Sequence, residues 1–244
     1  MVLDQGPCGP SRKRTGRRTG ARRHGAVQAR EGRGVTLASL VPLLDHASVL
    51  VFALTGALVA SRAQLDLVGF IFFATLTGIG GGTVRDLVLG RDPVFWVHRP
   101  ELILLTAGAA VLVFFTAHLL ESRYRLIVWL DAFALAVAVP AGVGLALEAG
   151  VSPVVAVAMG VVTGTFGGLI RDVIGNELPL VLKQGELYVT AAVGGAVVAV
   201  ALIGVGMPRP VALIFCGLIV IALRAGSLAL GWSLPTYRAR PPRN

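Results

Sequence analysis

The chain has 244 residues, 55% of them hydrophobic and only 14% charged, with a mean hydropathy of +0.78. A soluble domain is about 45–50% apolar and about 25% charged, so these proportions exclude one and indicate an all-α or β-barrel integral membrane protein. The formal net charge of +9 belongs to a tail rather than to the membrane body, because residues 1–34 hold nine Lys or Arg against Asp4 and Glu31.

That tail, residues 1–34, is rich in Arg and Gly with almost no apolar content, a composition expected to be disordered. It reads as a solvated extension; the functional alternative is contact with lipid headgroups or nucleic acid, and no nucleic-acid partner is expected. Seven apolar runs follow, at about 41–60, 65–84, 101–120, 126–147, 152–170, 187–206 and 210–231, each near the length of about 20 residues that a helix needs to cross a bilayer. They are continuous runs without period-two alternation, which excludes a β-barrel and leaves an all-α integral membrane protein of seven transmembrane helices. A basic stretch before the first run has the layout of a signal peptide. Cleavage near Ala60 would, however, remove Asp45 and Gly56 and leave their later counterparts alone. Counting Lys and Arg near the spans favours a C-terminus inside.

One stretch organises the chain. Gly78-Ile79-Gly80-Gly81-Gly82-Thr83-Val84-Arg85-Asp86 closes the second run, and Gly164-Thr165-Phe166-Gly167-Gly168-Leu169-Ile170-Arg171-Asp172 closes the fifth, 86 residues later. At the same offset Asp45 falls on Asp131, Gly56 on Gly142, Ala60 on Ala146, Thr77 on Thr163 and Pro93 on Pro179. A repeat of this kind is an architectural signature. The first three-helix repeat spans 35–122 and the second 123–208. Three spans per repeat is an odd number, so the second enters from the opposite face and the two are inverted. A seventh helix at 209–235 and a basic tail at 236–244 stand outside.

The glycine motifs admit two readings. In one, the second and fifth helices break there, so that freed carbonyls of Gly80, Gly81, Gly82, Gly164, Gly167 and Gly168, with the hydroxyls of Thr77 and Thr163, face a cation. Thr83 and Asp86 have the spacing of a capping box that would restart a helix. In the other, Gly78 and Gly82, like Gly164 and Gly168, fall at small-residue spacing and form a tight helix–helix face; both hold if the two copies cross at the axis. Arg85-Asp86 and Arg171-Asp172 are either deep functional pairs or interfacial and vestibule charges. Asp45 and Asp131 are either cation-attracting mouths or helix N-caps. Arg224 either snorkels or faces the bundle. Trp96, Tyr124, Trp129, Tyr188 and Trp232 have the placing of an interfacial aromatic belt. The histidines form no HExxH and the cysteines, Cys8 and Cys216, have no metal-ligand spacing. No enzyme, metal or cofactor is expected.

At Asp66–Val97, Leu130–Val151, Gly164–Lys183 and Glu186–Val193 the chain resembles the bacterial membrane family described both as prokaryotic trimeric intracellular cation (TRIC) channels and as glycine-transporter-domain proteins. The resemblance implies a multi-pass protein of the bacterial inner (plasma) membrane, assembled as a homotrimer with one solute path inside each protomer. It implies kinks at Gly80, Gly81 and Gly82 and at Gly167 and Gly168, with Phe166 standing where the family often has a third glycine. The implied permeant is a monovalent cation, chiefly potassium; the alternative is glycine or a similar small zwitterion.

Overall fold

The apolar runs become helices, and polar or glycine residues end them. The computed structural model describes residues 37–119, 123–183 and 186–235; the basic tail with Cys8, and residues 236–244, lie outside them. The long helices are α1 (Leu37–Arg62), α2 (Leu67–Val88), α3 (Glu101–Thr116), α4 (Arg123–Glu148), α5 (Pro153–Ile174), α6 (Val189–Gly204) and α7 (Arg209–Leu230). Asp66 caps α2 by accepting from the Gly69 amide at 2.8 Å, satisfying one of the amides a helix start leaves free. Ser152 does the same for α5, with Pro153 opening the helix. Gly231 ends α7 in the left-handed conformation at φ 71°, where glycine carries no Cβ penalty.

Six of these helices are long and apolar enough to cross a membrane among the described residues. The sixth expected span is shorter than the sequence run suggested. Its helix begins only after Tyr188 and has 16 residues, about 24 Å of rise against about 30 Å of hydrocarbon. The third helix also has 16 residues, but a 3-10 turn at Ala117–Leu119 extends it.

Helices α1 and α4 are the most buried of the set. Each packs against the glycine-bearing helix that follows it, and α1 packs on α4. The matched pair Gly56 and Gly142 explains how closely. A methyl group on Gly56 would lie 2.4 Å from the Phe73 carbonyl oxygen, and one on Gly142 would lie 2.5 Å from Thr163 Oγ1. Only a residue without Cβ lets the backbones approach so far. Apolar side chains such as Leu104, Leu112 and Phe115 on α3 and Leu218 on α7 point outward, as a lipid-facing surface requires.

Candidate functional site

The glycine motifs do not break their helices. Backbone from Leu67 to Val88 and from Pro153 to Ile174 is continuous α-helix, so the expected unwound carbonyls at Gly80–Gly82 and Gly164–Gly168 are not freed. The capping-box expectation fails with them: Thr83 Oγ1 donates to the Ile79 carbonyl at 2.7 Å and accepts from Trp96 Nε1 at 3.1 Å. The glycines serve close packing instead. Helices α2 and α5 cross where a methyl on Gly81 would lie 2.4 Å from the Thr163 carbonyl oxygen, and one on Gly167 would lie 2.7 Å from the Thr77 carbonyl oxygen. The contact is reciprocal, since Thr77 and Gly81 correspond to Thr163 and Gly167. The remaining glycines face side chains or backbone of neighbours: Gly78 the Val49 carbonyl, Gly80 Ile170, Gly82 the Phe95 ring, Gly164 Leu135 and Val139, and Gly168 Asp131 and Tyr188. Thr77 and Thr163 are buried, and each hydroxyl donates at 2.6 Å to the carbonyl four residues back, on Phe73 and Met159.

Asp45 and Asp131 are not N-caps, because α1 and α4 begin well before them. Each reaches across to the end of the following glycine helix. Arg85 Nη1 lies 2.9 Å from Asp45 Oδ1, and Arg85 Nε lies 2.8 Å from Asp86 Oδ1. Arg171 Nη1 lies 2.9 Å from Asp131 Oδ1, and Arg171 Nε lies 2.8 Å from Asp172 Oδ1. The second oxygen of each flanking aspartate ties down the loop beyond its helix, Asp86 Oδ2 accepting from Phe95 N at 2.8 Å and Asp172 Oδ2 from Leu180 N at 2.9 Å. Both arginines are 0% exposed, which removes the interfacial-anchor reading for Arg85-Asp86 and Arg171-Asp172. A charge so buried persists only when paired and hydrogen-bonded. Even so, Arg85 Nη2 and Arg171 Nη2 have no protein partner.

Arg224 does not snorkel. It is buried, with Nη1 and Nη2 each 3.2 Å from Glu186 Oε2 and its guanidinium 4.8 Å above the Tyr188 ring. Tyr188 is itself buried rather than part of an interfacial belt, and its phenol abuts Asp131. Glu186 is the residue sequence reasoning missed; it lies 38 positions from Arg224, beyond any local pattern. Arg224→Met keeps the apolar stem and loses charge-assisted bonds, and is expected to cost about 1.5–3 kcal/mol, read as a lower thermal midpoint in detergent. Arg224→Lys is expected to recover little, because a single ammonium cannot reproduce the planar fork over the ring. An unchanged midpoint in the Met variant would remove this cluster from the stabilising set.

Two cavities adjoin the ion-paired clusters. One, of about 210 Å³, is lined by Val41, Asp45, Arg91, Phe95, His98 and Glu148 among others. The other, of about 280 Å³, is lined by Arg62, Tyr124, Arg171, Asp172, Glu177 and Lys183 among others. The first gathers the start of α1 with the end of α4, the second the end of α1 with the start of α4. In the second, Tyr124 lies beside two cations, with Arg62 5.2 Å and Lys183 4.8 Å from its ring centroid. Lys183 also donates to the Tyr124 hydroxyl, and that bond, aided by nearby Glu186, raises the lysine pKa.

With this geometry in hand, likeness to known proteins becomes specific. A family model described as glycine transporter matches residues 42–118 and 128–203. The chain belongs to this TRIC-like family. It is 37% identical over 203 residues to the UPF0126 inner membrane protein YadS of Escherichia coli K12, covering 81% of this chain and 96% of that protein. Among solved structures it is similar to the TRIC trimeric intracellular cation channel orthologue from Rhodobacter sphaeroides, with 48% identity, a TM-score of 0.77 and coverage of 79% of this chain and 99% of that one. A prokaryotic TRIC channel in 0.5 M KCl is 27% identical, with a TM-score of 0.74 over 81% of this chain and 100% of that one. The two match segments in the family model sit on the two halves of the repeat. The chain is a multi-pass protein of the bacterial inner membrane, from a family of membrane transport proteins rather than enzymes.

Proposed function

We propose that this chain is a passive channel for monovalent cations, chiefly potassium, assembled as a homotrimer with a path inside each protomer. The observation that carries the reading is the 48% identity to the Rhodobacter sphaeroides TRIC channel orthologue over nearly all of that chain. The fold supports it. Helices α1–α3 and α4–α6 act as inverted repeats with α7 added, and α1 and α4 lie antiparallel, as the two cavity linings require. The path runs from the cavity beside Asp45, past the crossing of α2 and α5 at Gly81 and Gly167, to the cavity beside Arg171.

Charge supports a cation. Each buried cluster sets two carboxylates against one guanidinium, Asp45 and Asp86 on Arg85, and Asp131 and Asp172 on Arg171. Carboxylate oxygens in low-dielectric walls attract a cation locally, although Arg91 and Arg99 line the first cavity and Arg62 and Lys183 the second. The unpartnered Nη2 atoms favour a hydrated path, since buried polar groups otherwise go unsatisfied at a cost.

The glycine reading has the family description behind it and the site chemistry against it. It needs a half-helix N-terminus for the carboxylate near Thr83, where α2 runs unbroken. It also needs Asp86 or Asp172 for the ammonium, and both are already engaged through both oxygens. Purified full-length protein in liposomes separates the two. Labelled rubidium is expected to enter protein-bearing vesicles and not empty ones, without saturable uptake of labelled glycine. Saturable glycine uptake with no rubidium entry would reverse the assignment.

A further inference from the structure

The two ends of the proposed path are unequal, although the repeat matches their central residues. At the Asp45 end the carboxylates are loosely held. Among the described residues Arg85 is the one side chain bonded to the Asp45 carboxylate, through Oδ1. Glu148 lines the same cavity and forms no ion pair among the described residues. At the Arg171 end every carboxylate is committed. Asp172 uses both oxygens, and Arg62 binds both oxygens of Glu177. Asp131 holds Arg171 through Oδ1 and accepts a hydrogen bond from the Tyr188 hydroxyl. Cationic side chains line both cavities, Arg91 and Arg99 with His98 in the first, and Arg62, Arg171 and Lys183 in the second.

The difference comes from what fills the space beside a matched glycine. A methyl on Gly82 would lie 2.6 Å from the Phe95 ring. A methyl on its counterpart Gly168 would lie 3.1 Å from Asp131 Oδ1 and 3.3 Å from the Tyr188 hydroxyl oxygen. Each bare glycine therefore makes room for an aromatic residue, Phe95 at one end and Tyr188 at the other. The two come from unmatched positions, since Phe95 corresponds to Val181 and Tyr188 to Leu102. A phenyl ring has no donor for a carboxylate, whereas a phenol has one. Tyr188 is held by α7, the helix outside the repeat. Arg224 lies 4.8 Å above its ring and binds Glu186, and the Leu187 amide donates to Ser227 Oγ at 3.0 Å. Glu186, Leu187 and Tyr188 are thus fixed to α7 in succession. Asp45 lines the first cavity, but Arg171 and Asp172 rather than Asp131 line the second.

We propose that Tyr188 is a positioning residue for permeation: its hydroxyl takes up Asp131 and withdraws that carboxylate from the path, leaving the free acidic oxygens, those of Asp45 and Glu148, at the opposite end. The masking rests on the geometry of Tyr188, Asp131 and Gly168; its effect on current rests on the permeation reading above. A free carboxylate at a mouth raises the cation concentration there. A carboxylate already satisfied by a hydroxyl and a guanidinium attracts a cation less. Cations therefore enter more readily from the Asp45 end, and a protomer carries more current in that direction than in the reverse. The inequality fades with salt, because the screening length falls from about 10 Å at about 0.1 M to about 3 Å at about 1 M.

Tyr188→Phe tests this, since it removes the hydroxyl alone and keeps the ring under Arg224. Single openings of the full chain are recorded with equal KCl on both sides, and the conductances at opposite voltages are compared. In about 0.1 M KCl the unmodified chain is expected to show conductances that differ by about twofold, and in about 1 M KCl a ratio close to one. Tyr188→Phe is expected to bring the low-salt ratio close to one by raising the smaller conductance. Asp45→Asn is expected to do so by lowering the larger. A purely structural role for the hydroxyl would shift the thermal midpoint and leave the ratio alone. A folded Tyr188→Phe protein with the unmodified ratio would therefore overturn the proposal, as would equal low-salt conductances in the unmodified chain. Masking is read without current, by treating membranes with a water-soluble carbodiimide and a small amine and weighing the α1 and α4 peptides. Asp45 is expected to be labelled in both chains, and Asp131 in Tyr188→Phe alone. Labelling of Asp131 in the unmodified chain, or its continued protection in Tyr188→Phe, would also overturn the proposal. An unmodified chain without unitary currents defeats the permeation reading, while the labelling still decides whether Tyr188 masks Asp131.

Discussion

Asp131→Ala is expected to remove most of the folded protein from the membrane. Asp131 is fully buried and pairs with Arg171, also fully buried. Taking away the carboxylate leaves the guanidinium with Asp172 on Nε alone, while Nη1 joins Nη2 without a partner. Breaking a buried pair from one side costs about 3–5 kcal/mol, a large share of the about 5–15 kcal/mol that holds a domain folded. Tyr188 adds to the loss, because its phenol abuts the same carboxylate. Asp131→Asn keeps the shape and an acceptor oxygen, and is expected to fall between the alanine variant and the unmodified chain. Asp45→Ala is expected to be milder than Asp131→Ala. Asp45 lines a cavity where water reaches the site, and Asp86 still holds Arg85. Membrane-inserted yield and thermal midpoint in detergent check the series; an Asp131→Ala protein as stable as the unmodified chain would show that the pair contributes nothing.

The second large effect belongs to the helix crossing. Gly81→Leu and Gly167→Leu place a branched side chain where even a methyl would stand 2.4 Å or 2.7 Å from a backbone carbonyl oxygen. A backbone atom cannot rotate aside as a side chain tip can, so α2 and α5 must separate. Overpacking a core costs about 1–3 kcal/mol when side chains can adjust, and a separation of two helices exceeds that range. Both variants are expected to lose rubidium flux together with thermal stability. Gly81→Ala is expected to show a smaller version of the same coupled loss. Loss of flux in a fully stable Gly81→Ala protein would contradict packing as the role of this glycine and return the motif to the broken-helix reading. Gly80→Ala is the matched control, since its methyl would press only on the flexible tip of Ile170 at 3.1 Å, with the Gly167 Cα at an ordinary 4.0 Å.

What the sequence disclosed and what it withheld divide along a physical line. Hydrophobic runs gave all seven helices, and the 86-residue offset paired Asp45 with Asp131 and Gly56 with Gly142, which occupy like places in the structure. Local spacing then misled. Three adjacent glycines and a Thr-x-x-Asp pattern both signal a helix break, but propensity is a weak term that tertiary packing overrides: Gly81 and Gly167 serve the crossing of α2 and α5, and Gly78, Gly82, Gly164 and Gly168 face other neighbours. Asp45 near the start of an apolar run suggested a cap, because its partner Arg85 is 40 residues away. The signal that could have corrected this was present: Asp131 and Arg171 are also 40 apart, so a separation kept in both repeats pointed to a contact. Glu186 has no counterpart in the first repeat that could have drawn attention to it.

If each protomer conducts monovalent cations, single openings are visible in a planar bilayer. Full-length protein is reconstituted between two KCl solutions of unequal concentration, with no glycine present, and the reversal potential of single openings is measured. Unitary currents are expected to reverse close to the potassium equilibrium potential and to vanish in protein carrying Gly167→Leu. Reversal at the chloride equilibrium potential, or a quiet bilayer from protein that takes up labelled glycine in vesicles, would show that the chain is not a cation channel.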